Sequence, residues 1–112
     1  MLDHERLDVY KCSIQFLSIA LAIVETLPRG HSALADQLRR AAISIPLNIA
    51  EGTGKISKGD RRKFYAIARG SAMECGAIID VVQLVESRDK DRLSDAKQLI
   101  VRIVSMLTQM TR

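Results

Sequence analysis

Nine consecutive residues, Lys55-Ile56-Ser57-Lys58-Gly59-Asp60-Arg61-Arg62-Lys63, hold five cations and a single acid. Ser57 followed three residues later by Asp60 has the form of a capping box, so a helix is expected to begin there. Lys58, Arg61, Arg62 and Lys63 then fall in its first turns. A helix start already carries partial positive charge from unpaired amides, and cations there lose on the order of a few tenths of a kcal/mol that acids would gain. Where a sequence departs from local preference, function is one explanation. Amides at a helix start, joined by flexible basic side chains, make a site for phosphate oxygens. Lys55, Arg39, Arg40 and Arg69 extend this candidate nucleic-acid-binding set. The competing reading is solvated surface charge, screened by salt, with Asp36 serving Arg39 or Arg40 and Glu51 serving Lys55 at helical spacing. The aromatics are Tyr10, Phe16, Phe64 and Tyr65. Base stacking is therefore secondary to backbone contact, and binding would be salt-sensitive.

Other chemistry finds little footing. The histidines, His4 and His31, lie near segment ends without the Glu-x-x-His partners of a metal-binding bundle, so no metal is expected. The glycines form neither a phosphate loop nor a dinucleotide-binding turn, and no cofactor is expected. Cys75 reads as a small buried hydrophobe, since neither histidine has an orienting carboxylate at helical spacing. Glu51 and Glu74 could form an acid–base pair between two helices, but capping, pairing with cations or fixing helix register is the better account. The chain is expected not to be an enzyme.

Four amphipathic segments must position these residues. In the first, Leu7, Tyr10, Ile14, Leu17, Leu21 and Val24 recur at alternating spacings of three and four, the pattern of a bundle seam. A second row, Val9, Phe16 and Ile23, widens that face. Leu27-Pro28-Arg29-Gly30 stops the segment, and Ser32 is expected to cap the next. Leu34, Leu38, Ala41, Ile45 and Ile49 give the second helix its apolar face, with Pro46 kinking rather than ending it. After the Gly52-Thr53-Gly54 break, the third helix has Phe64, Ile67, Ser71, Cys75, Ile78, Val82 and Val85 along one face. Ser87 or Asp89 is expected to cap the fourth, which carries Leu93, Ala96, Ile100, Ile103, Leu107 and Met110.

Long helices on short connections make antiparallel neighbours, so the fold class is all-α, an up-and-down four-helix bundle. At 112 residues the chain fits one domain, residues 1–112. Hydrophobic residues make up 47% and aromatics 4%, so aliphatic side chains must fill the core. The apolar run Cys12 to Val24 is short of the roughly 20 residues that cross a bilayer, no signal peptide opens the chain, and the two cysteines form no framework. A cytoplasmic protein without a membrane partner is the expectation. The net charge of +4 is uneven: residues 29–69 hold nine Lys or Arg against three acids. Such a basic middle suits an anionic partner and also suits an ordinary soluble protein.

The string Arg40-Ala-Ala-Ile-Ser-Ile-Pro-Leu-Asn-Ile-Ala-Glu-Gly52, followed by Ile67-Ala-Arg-Gly-Ser-Ala-Met-Glu74 and preceded by Leu7-Asp-Val-Tyr10, resembles the small bacterial four-helix bundle proteins called 23S ribosomal RNA intervening-sequence proteins. The resemblance covers nearly the whole chain. It implies an up-and-down four-helix bundle assembled into a ring-shaped homopentamer, without enzymatic activity. A relative of the family is the accessory protein of diversity-generating retroelements, which works with a reverse transcriptase and nucleic acid. It further implies that Pro46, Asn48, Glu51, Gly52, Ser71 and Glu74 are architectural, with Asn48 and Glu51, and Ser71 and Glu74, each one turn apart in a polar network between helices two and three. Two departures stand out. Thr53-Gly54-Lys55-Ile56 replaces an aromatic or arginine-rich stretch common in relatives, and the connection between helices three and four lacks their aromatic.

The sequence thus points to a non-catalytic, oligomeric accessory protein that binds nucleic acid, RNA being favoured, beside a reverse transcriptase or ribosomal partner. The alternative is a scaffold that recruits a protein partner and uses its cations for solubility.

Overall fold

The structure, a computed structural model, describes residues 1–86 and 88–112. Four helices follow one another: α1 (Asp8–Thr26), α2 (Ser32–Thr53), α3 (Lys58–Val85) and α4 (Lys90–Met110). Single 3₁₀ turns occupy Asp3–Arg6 and Arg29–His31, and no strand occurs among the described residues. Side-chain bonds show the directions. Ser44 meets Ser71 and Thr53 meets Tyr65 between α2 and α3, while Arg69 meets Thr108 and Asp80 meets Lys97 between α3 and α4. Numbers rise on one helix as they fall on its neighbour, so each pair is antiparallel. α4 returns against α1, which closes the up-and-down bundle.

The helix boundaries have local causes. Ser57 accepts a hydrogen bond from the Asp60 amide at 3.1 Å and starts α3 as expected. Asp89 does the same for the Arg92 amide at the start of α4, and the other candidate, Ser87, lies outside the described residues. Ser32 does not cap α2. The turn Arg29–His31 runs straight into the helix, so Ser32 is already its first residue and His31 holds the cap position without a side-chain bond. α2 continues through Pro46 to Thr53.

Packing corrects the expected faces of two helices. On α1 the buried residues are Val9, Cys12, Ser13, Phe16, Ala20, Ile23 and Val24. The supposed secondary row is therefore the core row, completed by Val24 of the expected seam and by three small residues that let the helices approach closely, while Leu7, Tyr10 and Leu17 of that seam are partly buried against it. Ile14 and Leu21 of the supposed seam are about 40% exposed. Ser13 is buried without penalty because its hydroxyl donates to the Tyr10 carbonyl at 2.6 Å. On α3 the face is turned toward Tyr65, Ala68, Ala72 and Ile79, leaving Ile67 and Val85 exposed. α2 and α4 bury the residues expected of them, Leu34 and Met110 only partly.

α1 spans 19 residues and has the length and apolarity of a bilayer-crossing helix, more than the run Cys12 to Val24 suggested. Its core row is nonetheless buried, with α2 and α4 packed against the helix. Exposed apolar residues remain on every helix, among them Ile14 and Leu21 on α1, Ile43 and Leu47 on α2, Met73, Val81 and Leu84 on α3, and Val101 on α4.

Candidate nucleic-acid interface

α2 meets α3 closely at the end that carries the basic run. A Cβ on Gly52 would lie 3.0 Å from the Phe64 Cβ and 3.0 Å from the Tyr65 ring, so only glycine allows this approach. The hydroxyl of the buried Tyr65 bonds to Thr53 Oγ1 at 2.9 Å, and the Thr53 hydroxyl donates to the Ile49 carbonyl, so Tyr65 donates to Thr53. The polar network between the two helices is built differently from expectation. Asn48 Nδ2 donates to the Ser44 carbonyl and hydroxyl, both at 2.9 Å, and Ser44 meets the Ser71 hydroxyl at 2.8 Å. Asn48 and Ser71 thus take part, but through Ser44; Glu51 and Glu74 are exposed and outside it. The Ser44 to Ser71 register sets Glu74 level with Ala41, ten residues from Glu51 along α2. That is about 15 Å at the helical rise, too far for an acid–base pair. Sequence reasoning missed Ser44, Thr53 and Tyr65, although Thr53 and Tyr65 flank the quoted motif.

Several backbone and side-chain bonds hold the connection between α2 and α3. The amides of Gly54 and Lys55 donate to the carbonyls of Ala50 and Gly52, and the Arg61 amide donates to the Ser57 carbonyl. Arg61 Nε reaches back to the Lys55 carbonyl at 2.7 Å. Lys55 does not pair with Glu51 as the surface-charge reading required; its ammonium lies over the Phe64 ring, 5.1 Å from the centroid. Two of the cations are thus engaged in fixing the connection, and Lys58, Arg62 and Lys63 project from it exposed.

The eight candidate residues do not form one surface. Arg39 is tied to Asp36 at 2.8 Å on α2, as the surface-charge reading expected. Arg40 faces a groove between α2 and α3 with Gln37, Ser44, Ser71 and Glu74. Fifteen residues of mostly helical chain, about 20 Å, separate this pair from Lys55. Arg69 bonds to Thr108 on the α4 side of α3. What gathers at the connection is Lys55, Lys58, Arg61, Arg62 and Lys63, with Arg69 two turns farther along.

The fold concentrates charge beyond this cluster. The start of α1, the end of α2, the start of α3 and the end of α4 share one end of the bundle. Taken at the helix midpoints, that end comprises residues 1–17, 43–71 and 101–112 and holds ten Lys or Arg against five carboxylates, a net +5. The other end holds seven against eight. The protein's whole positive excess is therefore at the end where the connection projects, the arrangement that raises the local concentration of a polyanion.

The thiol of Cys75 is pushed up to about 12 by burial, with the negative charge of Glu74 adding to the effect. Cys12 is buried too. At Cys75 a thiolate nucleophile is therefore not available at neutral pH. A disulfide reagent such as dithionitrobenzoate is expected to leave both thiols unmodified in the folded protein and to titrate both after unfolding; rapid labelling of the native protein would contradict the burial. No group of three or more metal-ligating side chains occurs among the described residues.

The family model described as 23S rRNA-intervening sequence protein matches residues 5–109, nearly the full chain. No curated protein is similar enough to the chain to count as a match.

Proposed function

We propose, because this chain belongs to the 23S rRNA-intervening sequence protein family, that it is a non-catalytic, oligomeric accessory protein that holds structured nucleic acid, RNA in preference, at its basic end. The observation that carries this reading is the gathering of ten cations against five acids at one end of the bundle, with Lys58, Arg62 and Lys63 projecting at its tip. Phosphates are met there by charge and by helix-start amides. Sequence is not read: Tyr65 is buried, Phe64 is covered by Lys55, and Tyr10 lies against His4. A reverse transcriptase or ribosomal component is the partner class that fits the family, in the cytoplasm.

Self-association fits the leftover apolar residues. Exposed apolar residues on different helices, Leu21 on α1, Leu47 on α2 and Leu84 on α3 among them, suit a contact between copies, and head-to-tail contacts with a suitable rotation close into rings. The family resemblance makes five the copy number to test.

A scaffold reading has its own observation. Met73, Val81 and the 86%-exposed Leu84 lie along α3, where a protein partner could bury them.

Binding to structured RNA and duplex DNA, at low and physiological salt and with oligomer size monitored, separates the two. Wild type is expected to bind with a steep salt dependence, and Arg62→Glu with Lys63→Glu to weaken binding by about a hundredfold or more while the oligomer stays intact. Absence of binding at low salt, with a protein partner recovered after nuclease treatment, would favour the scaffold instead.

A further inference from the structure

The most exposed large apolar side chain in the protein is Ile56, 96% accessible at the tip of the α2–α3 connection. Its surroundings are unusual for a solvent-facing isoleucine. Lys55 precedes it, Lys58 follows two residues later, and Arg61, Arg62 and Lys63 occupy the next turn. The side chain is also presented on a held backbone. The Arg61 guanidinium binds the carbonyl immediately before Ile56, and the Ser57 hydroxyl immediately after it caps α3. Nothing in the monomer is stabilised by the isoleucine.

We propose that Ile56 is an apolar wedge, which enters a base step of a helical nucleic acid while the flanking cations hold the phosphates on either side. The proposal rests on the nucleic-acid reading above and adds the mode of contact and the class of ligand. A single inserted aliphatic residue is a recurrent device for unstacking a base step, and the bend it produces brings more protein surface to the backbone. Insertion costs least where stacking is already interrupted, so the favoured ligand is a duplex with a bulge or mismatch. A membrane surface shares the chemistry of apolar and basic groups but fits poorly by magnitude. A myristoyl chain alone gives only marginal, reversible attachment, and one isoleucine buries far less.

Arg61 acquires a separate role in this arrangement. Its Nε is taken by the Lys55 carbonyl, so in addition to its charge it is a positioning residue that holds the wedge.

The test compares wild type, Ile56→Ser, Arg61→Gln and Arg62→Gln on an intact RNA duplex and on the same duplex with a one-nucleotide bulge, over a range of salt. A 2-aminopurine beside the bulge reports unstacking. Ile56→Ser removes no internal contact, so folding is not at stake. Wild type is expected to prefer the bulged duplex by about tenfold, with a rise in 2-aminopurine emission on binding. Ile56→Ser should lose the preference and the emission change while keeping the salt slope. Arg62→Gln should lower that slope by about one. Arg61→Gln should lower the slope to a similar extent and, unlike Arg62→Gln, also lose part of the preference.

If wild type and Ile56→Ser bind both duplexes alike, the wedge is refuted while the nucleic-acid reading stands. If wild type binds neither duplex at low salt, both fall. Binding confined to vesicles of anionic phospholipid and lost in Ile56→Ser would overturn the proposal in favour of a membrane contact.

Discussion

Phe16→Ala is expected to destabilise the protein by about 3–5 kcal/mol, the cost of removing a fully enclosed aromatic ring and leaving its cavity behind. Phe16 has no exposed surface and sits in the middle of α1, among Val9, Cys12, Ala20 and Ile23. A domain of this size is stable by only about 5–15 kcal/mol, so the variant will melt roughly 10 °C or more below wild type, or fail to fold. The companion substitution is Ile14→Ala, two residues away on the face that the bundle leaves exposed. Its cost in the isolated subunit should be below about 1 kcal/mol. Urea denaturation followed by circular dichroism measures both, at a concentration low enough to dissociate any oligomer. Equal losses would mean that α1 is rotated from the orientation described.

The second large effect falls on the junction of α2 and α3. Alanine is ordinarily a better helix former than glycine by roughly 1 kcal/mol, but at Gly52 the added methyl meets the Phe64 Cβ and the Tyr65 ring at 3.0 Å. Neither can yield easily. The Phe64 Cβ is fixed to the backbone, and Tyr65 is buried with its hydroxyl bonded to Thr53. Gly52→Ala should therefore destabilise by about 1–3 kcal/mol. Gly70→Ala on α3, where nothing lies within 4 Å of the new methyl, should instead stabilise the isolated subunit by roughly 0.5–1 kcal/mol. Opposite signs from one substitution type are the expected signature, readable as shifts of thermal midpoint in opposite directions.

The four helices, their order and their antiparallel pairing were legible from period and punctuation, and the caps at Ser57 and Asp89 from residue type. The inward face of α1 was not. Two apolar rows share that helix, and periodicity weighs Ile14 and Leu21 above Cys12, Ser13 and Ala20, which close packing prefers because they are small. On α3, Ala68 and Ala72 carry the core past Tyr65 for the same reason. Ser44 went unnoticed because a serine inside a helix has no distinctive spacing; its partners belong to another segment. At the candidate site, the basic run was visible at once. Its internal division of labour was not, since only the folded connection turns Arg61 back on Lys55 and sets the Lys55 ammonium over Phe64. Arg39 and Arg40 seemed near the run because intervening residues are few. A helix converts those few residues into distance.

The molecule is 44 Å long, and its excess charge is confined to one end. At physiological ionic strength electrostatic influence fades over about 8 Å, so the two ends are electrically independent. The result is a permanent dipole along the long axis, which turns the molecule toward a polyanion before they touch and favours an end-on encounter over a lateral one. The opposite end, where seven cations balance eight acids, is neither drawn to that polyanion nor repelled by it. A second macromolecule can dock there in any order, without competing for the same field.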